Sequence, residues 1–493
     1  MGDLIPFLAG CVAVLILEVV PAIGSPGALT SYLDPFRFLL RGEELIQQGY
    51  NRFNGTVFRI PSVAGWKFVA SGPTLLKDIC YPPEDALSFE EAIRDQLQAD
   101  LTLGPRDVPN HLVPTLTKLT RNCRPRFLDV RDELVCAFDD TLELEGTDWK
   151  PITVLPAVTD IVARISGRLF VGLPLWMHFP PHGRNPEYQK FSIKHTFDVA
   201  LFGRLIGYLP KFLRPILGPL ISSRKRNMRQ AMRLLGPLVA ERIALFERHG
   251  GDWPDKPVSF WDLSVHSASL MQAERLISWL LDMAQPYQRT VPEVVQRILV
   301  VIMGAIHTLS FTFAEALLDL TTYTSYIEPL REEVERIINK QGWTRAALVA
   351  VRNFSIARKV IHPDGFTFSD RTFLPTGSFL QVPVRPVHLD PDNFVNPHVF
   401  DGFRFYNMQS ESAPEEGKAR FKQYMVTTEP THLAFGHGKH ACPGRWLKTM
   451  LAYIVLNYDI KLETEGVRPP DKLFDTLRIP DPKAQVWFRK REV

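Results

Sequence analysis

The amino-acid sequence predicts a mainly α-helical protein with small β-sheets, which is an α+β fold. Three observations lead to this prediction. Between Thr74 and Pro286 the apolar residues recur mostly at helical spacing, with prolines between the segments. A long apolar helix follows Thr290, and short segments of alternating apolar and polar residues lie before Thr74 and after Lys359. The 45% hydrophobic fraction allows a chain of 493 residues to bury a sizeable core.

The charge balance and the cysteines exclude two classes of protein. With 57 basic and 54 acidic residues the formal net charge is only +3, so we expect no nucleic-acid partner. The five cysteines are few, odd in number and scattered: Cys11, Cys80, Cys123, Cys136 and Cys442. A disulfide framework uses many paired cysteines in a short secreted chain, so this pattern predicts a reducing compartment.

The N-terminus predicts a membrane anchor over residues 1–24. The run Leu4–Ile23 has about the 20 residues that cross a bilayer, and its one acidic residue lies near its end. A cleaved signal peptide is the alternative, but no basic segment precedes the run and the cleavage site is poor. Arg37 and Arg41 follow the run, which predicts a cytosolic body. Residues 25–493 are then expected to form a single domain.

Two stretches lie between this anchor and the long helix. The segment "TVFRIPSVAGWKFVASGP", residues 56–73, is typical of two short strands joined by a turn. The segment from His195 to Gln230 mixes large apolar side chains with basic ones. It fits either a surface that dips into a membrane or a buried helix pair with a solvated basic end.

The strongest helix of the sequence begins after Thr290. A proline in the first turn and Glu293 three residues after Thr290 form a capping-box pattern. The residues Ile298–Ile306 are apolar, which predicts burial on every side. Polar residues follow too soon for a membrane span, so we expect a central core helix. Near the C-terminus a further helix is predicted from Arg445 to Tyr458.

The stretch "THLAFGHGKHACPGRW" concentrates candidate metal ligands. A tetrahedral zinc site would use His432, His437, His440 and Cys442. Structural zinc ligands usually come as two close pairs separated by a long loop, whereas these four are crowded into one short loop. Zinc is therefore the less favoured interpretation.

A haem iron needs only one thiolate, which Cys442 can supply. The backbone around that thiolate must approach a flat macrocycle closely, and Gly436, Gly438 and Gly444 permit such an approach. Phe435 can shield the sulfur from water, and the helix that follows directs its positive N-terminal end at the anion.

The segment "FGHGKHACPGR" resembles the haem-binding signature of the cytochrome P450 family. That signature is Phe-x-x-Gly-x-[Arg or His]-x-Cys-x-Gly, and Phe435, Gly438, His440, Cys442 and Gly444 stand at its positions. The residues of this segment are similar to those of fungal microsomal enzymes of secondary metabolism. The resemblance implies the cytochrome P450 fold and haem b, with Cys442 as the axial iron ligand. It also implies that His440 donates a hydrogen bond to a haem propionate.

Three other stretches resemble family motifs. "GAIHT", residues 304–308, is similar to the distal-helix motif, which implies that Thr308 relays protons to bound dioxygen. His307 replaces the usual acid there, and histidine can shuttle protons near neutral pH. Arg358 and Arg121 stand where the family supplies cations for the propionates. For Arg121 a solvated position is an equally open interpretation. Arg404 matches the arginine that locks the loop behind the haem.

One family motif is missing from the sequence. The family carries Glu-x-x-Arg on a helix before the later strands, and its residues interlock with the arginine represented here by Arg404. No such motif lies between Gly342 and Lys359. Glu333 and Arg336 have the spacing but belong to the preceding helix. Either a transcript has lost the segment that encodes this helix, which we favour, or the chain is not catalytic.

The resemblance implies a membrane-anchored monooxygenase of the endoplasmic reticulum, with its catalytic domain in the cytosol. Electrons would come from NADPH–cytochrome P450 reductase, because the sequence has no flavin or dinucleotide fingerprint. The expected substrate is an apolar small molecule, with a terpenoid as one class. The alternatives are a non-enzymatic relic and a zinc-binding structural protein.

Overall fold

The computed structural model describes nine stretches of the chain. They are residues 20–24, 33–83, 85–105, 127–171, 185–250, 275–341, 356–411, 429–437 and 447–492. Residues 1–19 of the predicted anchor and Arg121 lie outside these stretches. So do Gly438, His440, Cys442 and Gly444.

Helices make up most of the described chain, as the sequence predicts. In chain order they are α1 (Asp34–Phe53), α2 (Pro73–Cys80), α3 (Phe89–Leu97), α4 (Ala99–Thr102), α5 (Phe127–Leu142), α6 (Val154–Phe170), α7 (Pro186–Gly207), α8 (Arg214–Ile221), α9 (Arg224–His249), α10 (Arg275–Met283), α11 (Val291–Thr322), α12 (Ile327–Gln341), α13 (Val384–His388), α14 (Arg404–Glu411) and α15 (Leu447–Asn457).

The strands are short and form small sheets. They are β1 (Val57–Ser62), β2 (Gly65–Ala70), β3 (Leu87–Ser88), β4 (Lys150–Thr153), β5 (Ala357–Val360), β6 (Phe366–Thr367), β7 (Phe373–Leu374), β8 (Phe379–Gln381), β9 (Tyr458–Lys461), β10 (Lys472–Phe474), β11 (Leu477–Ile479) and β12 (Gln485–Lys490). A five-stranded sheet has the order β1-β2-β8-β5-β3, and a three-stranded sheet has the order β4-β12-β9. The hairpin predicted near residue 60 is confirmed, since β1 and β2 pair antiparallel with Val57 opposite Ala70.

The central helix is α11. It is the one helix of the described chain that is long and apolar enough to cross a membrane. It packs instead against α6, α7 and α9, which confirms a core position. The predicted helix start is confirmed with Thr290 at the N-cap, but the Thr290 side chain makes no capping hydrogen bond. The predicted burial on every side is wrong at Gly304, which is exposed.

The end of the predicted anchor lies on the body of the protein. Val20 and Ile23 are buried, and the backbone N–H of Ile23 donates to the Arg59 carbonyl of β1 at 2.9 Å. The Arg59 N–H donates to the Pro21 carbonyl at the same distance. Residues 20–24 therefore extend the sheet, and the division at residue 24 stays a prediction.

Candidate functional site

The distal side of the candidate site is one turn of α11. Between Val301 and Thr321 only Gly304 and Thr308 are exposed, and they stand one helical turn apart on the same face. A Cβ atom built on Gly304 would meet no atom within 4 Å. The Thr308 hydroxyl donates to the Gly304 carbonyl at 2.8 Å. A buried core helix thus opens at the turn that the sequence singled out.

The His307 side chain packs against aromatic rings, whereas the Thr308 hydroxyl binds a backbone carbonyl of its own helix. Its ring lies between Phe197 of α7, at 6.4 Å between ring centroids, and Phe311 one turn further along α11, at 5.7 Å. Neither ring nitrogen makes a hydrogen bond of normal geometry within the described chain. Burial lowers the pKa of His307, and a smaller interaction with the Ile193 backbone opposes this shift. The ring is therefore neutral at pH 7, and a proton relay through it would start from the neutral form.

Arg358 is a buried cation that lacks an acidic partner within the described part of the chain. It lies on β5 and is 2% exposed. One guanidinium nitrogen donates to the adjacent Ala357 carbonyl at 2.8 Å, the Phe89 ring lies 5.5 Å from the guanidinium carbon, and Nε has no hydrogen-bond partner. Burial lowers the pKa of Arg358 to about 10, and the thiol of Cys80 opposes that shift only in part.

Elsewhere in the described part of the chain, buried charges have ion-pair partners. The Nε atom of Arg164 lies 3.1 Å from Glu133, and Arg468 bridges Asp319 and Asp471 at 2.7 and 2.8 Å. A buried ion without a partner lowers the stability of the fold by roughly several kcal/mol. The unpaired charge of Arg358 therefore favours the binding of an anion. The carboxylate of a haem propionate has the required charge and hydrogen-bonding atoms.

The proximal side begins with the buried turn Leu433–Gly436. Leu433 is fully buried and belongs to the core of the five-stranded sheet, whereas Phe435 belongs to the helical core around α11 and α15. The Gly436 N–H donates to the Leu433 carbonyl at 2.9 Å, and Gly436 has φ +72°. A side chain is disfavoured at that angle, which explains the glycine. The turn thus joins both cores just before the loop that carries Cys442 (the cysteine loop).

Two of the four candidate zinc ligands make aromatic contacts instead. His432 stacks on Phe405 with ring centroids 4.5 Å apart, and His437 meets Tyr81 edge-on at 5.6 Å. No group of three metal-binding side chains is assembled among the residues that the structure describes. The two described candidates, His432 and His437, thus both contact aromatic rings.

Arg404 binds backbone carbonyls where a carboxylate is expected. Its guanidinium donates to the carbonyls of Val395, Asn396 and Val399 at 2.5, 3.1 and 2.7 Å. No carboxylate of the described residues contacts it. Arg404 therefore closes its own loop without linking that loop to another element.

An arginine of α12 contacts α15, the helix that follows Cys442 in the chain and is called the proximal helix. Glu333 and Arg336 both lie on α12, as expected from their position in the sequence. From the same helix Arg331 donates to the Val455 carbonyl of α15 at 2.8 Å and to Asp459 at 3.2 Å. The proximal helix is thus braced from α12, although the family's interlock is missing.

The distal and proximal parts of the predicted site border the same hydrophobic core. Ile306, next to His307 on α11, and Phe435 both belong to that core. The open turn at Gly304, the glycine turn at Gly436 and the unpaired Arg358 fit a flat anionic macrocycle. Two further residues, Phe197 and His388, carry no signal in the sequence, because their contacts join distant parts of the chain.

Comparison with known proteins gives a consistent result. The family model described as Cytochrome P450 matches residues 108–488. The chain is 34% identical to Cytochrome P450 monooxygenase 151 of Postia placenta, with all of both chains covered. It is 35% identical to Cytochrome P450 monooxygenase 71 of the same organism, over 97% of this chain and 94% of the relative. It is 27% identical to an ent-kaurene oxidase of Gibberella intermedia, over 96% of this chain and 88% of the relative.

The first of these alignments is longer than this chain. It runs over 527 positions, whereas this chain has 493 residues. The relative therefore carries segments that have no counterpart in this chain.

Proposed function

The chain belongs to the cytochrome P450 family, and we propose that it is a membrane-anchored haem-thiolate monooxygenase that inserts one oxygen atom of dioxygen into an apolar small molecule. The observation that carries this proposal is the open turn of α11, where Gly304 and Thr308 are exposed within an otherwise buried stretch of helix. A haem with an axial thiolate supplies the activation of dioxygen when it is bound.

The residues that would hold haem b come from both halves of the chain. Cys442 would be the iron ligand, and Gly436, Gly438 and Gly444 would let the backbone approach the macrocycle. Phe435 is buried at the start of this loop, where it excludes water from the proximal side.

The propionates would bind the cationic side chains. Arg358 supports this assignment most strongly, because its buried charge has no acidic partner among the described side chains. Arg121 and His440 are proposed by resemblance alone. An imidazole at position 440 donates one hydrogen bond, where an arginine could donate a bidentate pair.

Proton movement on the distal side would use Thr308 and His307. The Thr308 hydroxyl donates to the Gly304 carbonyl at 2.8 Å, and rotation about χ1 can redirect this proton toward the open face. Neutral His307 has a free acceptor nitrogen, so it can take up a proton and return it. Its ring lies between Phe197 and Phe311.

The proposed substrate class is an apolar terpenoid, oxidised in secondary metabolism. Two features support it: the similarity to an enzyme named ent-kaurene oxidase, and the aromatic ring of Phe197 next to the distal turn. An apolar substrate is held chiefly by the burial of its surface, which such a lining favours.

The proposed location is the endoplasmic reticulum membrane, with a cytosolic catalytic domain and electrons from NADPH–cytochrome P450 reductase. An apolar stripe at α8 supports membrane contact, since Phe212, Ile216 and Leu220 are 74%, 64% and 79% exposed. Leu40 on α1, which follows the predicted anchor, is 76% exposed. Apolar side chains exposed in this way beside basic residues are typical of a helix lying at a membrane surface.

A second candidate function is a non-enzymatic relic without the Glu-x-x-Arg helix. The observation that favours it is the set of carbonyl contacts made by Arg404 in place of a carboxylate. Sequencing the transcript across the codons for Gly342–Lys359 separates the two candidates. Additional codons that restore Glu-x-x-Arg support an enzyme, and their absence supports the relic.

The decisive experiment on the protein is spectroscopic. The purified chain is reduced under carbon monoxide, its absorption spectrum is recorded, and its metals are measured. A Soret band shifted strongly to the red supports the haem-thiolate enzyme, and the absence of haem contradicts it. Zinc at one equivalent per chain would instead favour the structural zinc protein.

A further inference from the structure

The His388 side chain ties the buried start of the cysteine loop to a distant part of the fold. The Leu433 N–H donates to Nε2 of His388 at 2.9 Å. Leu433 is fully buried, and His388 is the last residue of α13, 45 positions earlier. A buried N–H group must find an acceptor, and here an imidazole supplies it.

We propose that His388 is a positioning residue for the cysteine loop, because its imidazole fixes the backbone at Leu433 from which the turn to Phe435 and Gly436 starts. The inference rests on the proposed haem-thiolate function. It adds a residue that holds the loop without touching the cofactor.

The protonation state of His388 suits this task. Nε2 can accept a hydrogen bond only when that nitrogen carries no proton. Burial lowers the pKa of His388 to about 4, and the nearby His432 adds to the shift. The acceptor is therefore available throughout the neutral range.

Aromatic contacts hold the ring in place. Phe394 meets His388 edge-on at 6.2 Å, and His432 lies at 6.1 Å on the loop itself. Phe405 stacks on His432 and meets Phe394 edge-on at 6.1 Å. Phe394 and His432 thus contact the imidazole, and Phe405 packs against both of them.

Arg404 does not perform the same task. Its three hydrogen bonds end on carbonyls between Val395 and Val399, within the segment that contains it. The hydrogen bond from Leu433 to His388 crosses from that segment to the cysteine loop. In a chain without the Glu-x-x-Arg helix, this contact takes on more of the positioning of the loop.

The test uses three variants of the full-length protein loaded with haem. His388→Leu removes the acceptor, and His388→Gln retains one, because its amide oxygen can reach the position of Nε2. His398→Leu is the matched control, since His398 is an exposed histidine of the same segment. The measurements are amide hydrogen exchange at Leu433 and the Soret band of the reduced carbon monoxide complex. The thermal unfolding of each variant is recorded alongside.

Loss of one hydrogen bond should accelerate exchange at Leu433 about tenfold in His388→Leu. The red-shifted Soret band should lose intensity in the same variant. His388→Gln should restore both, and the control should match the unaltered protein. Unchanged exchange in His388→Leu overturns the inference. Faster exchange with an intact Soret band also overturns it, because the contact would then not position the loop.

Failure of the proposed function would be recognised separately. If the unaltered protein shows no red-shifted band, the haem-thiolate assignment fails. Exchange at Leu433 alone then decides whether His388 holds the loop, and equal rates in His388→Leu and His398→Leu would refute it.

Discussion

The distal and proximal sides of the candidate haem site are held by different kinds of contact. The distal turn Gly304–Thr308 belongs to one helix, whose backbone hydrogen bonds connect residues four positions apart. The proximal turn Leu433–Gly436 depends on His388, 45 residues away, and on packing into two separate cores. Contacts within one helix do not depend on a distant segment, whereas contacts between elements depend on how those elements pack. A missing helix therefore endangers the proximal side first.

Replacement of the proposed iron ligand should have the largest effect. Cys442→Ala should abolish both the red-shifted Soret band and oxygenation, because the iron would lose its proposed axial thiolate. Cys136→Ala is the control, since Cys136 is an exposed free cysteine and should leave the spectrum unchanged. An unaltered carbon monoxide spectrum in Cys442→Ala would show that the proximal assignment is wrong.

Removal of the Thr308 hydroxyl should have the second-largest effect on activity. Thr308→Val should lower turnover by about 100-fold, as expected when a positioned proton donor is lost. Thr312→Val removes a hydroxyl that donates to the Thr308 carbonyl at 2.9 Å from the next turn, and it should leave turnover unchanged. Comparing turnover and thermal unfolding of the two variants separates chemistry from helix stability. Equal turnover in both would remove Thr308 from the mechanism.

Arg358 should affect cofactor binding and folding in opposite directions. Arg358→Met should weaken haem binding about tenfold, because a charged hydrogen bond to a propionate is lost. The haem-free protein should be as stable as the unaltered one or more stable, since an unpaired buried charge is removed. Arg468→Met is the contrasting variant and should destabilise the fold by about 3 kcal/mol, because its acidic partners stay buried. Haem titration and urea unfolding measure these effects, and a strongly destabilised haem-free Arg358→Met would contradict this account.

Acid should lower the free energy of unfolding through two buried histidines, by smaller and similar amounts. Burial lowers the pKa of His195 on α7 to about 4, the same value as for His388. The unfolded chain binds protons as the pH falls through 6.5, while the folded chain does so only near 4, so stability is lost across that interval. Each histidine should cost about 1 kcal/mol between pH 7.5 and 5.5. Urea unfolding of His195→Gln and His388→Gln should show shallower pH dependence, unlike the exposed control His398→Gln. An unchanged slope in both would contradict the proposed neutrality of these rings.

The sequence was sufficient to identify elements whose signal is local. The periodicity after Thr290 predicts α11 with its start, and the alternation in residues 56–73 predicts the β1–β2 hairpin. The signature around Cys442 identifies the family because its residues are adjacent in the chain. Each of these features depends on spacing within one short segment, which a sequence displays directly.

The tertiary structure decided which of these residues are buried, paired or open. Apolar composition alone predicted burial at Gly304, yet this position is exposed because no element among the described residues covers that face of α11. The sequence offered Arg358 as a cation, and only the fold buries it without an acidic partner among the described residues. The contact between His388 and Leu433 joins α13 to the cysteine loop. Such long-range contacts depend on the packing of whole elements, so the sequence supplies the chemical groups and tertiary packing determines which of them meet.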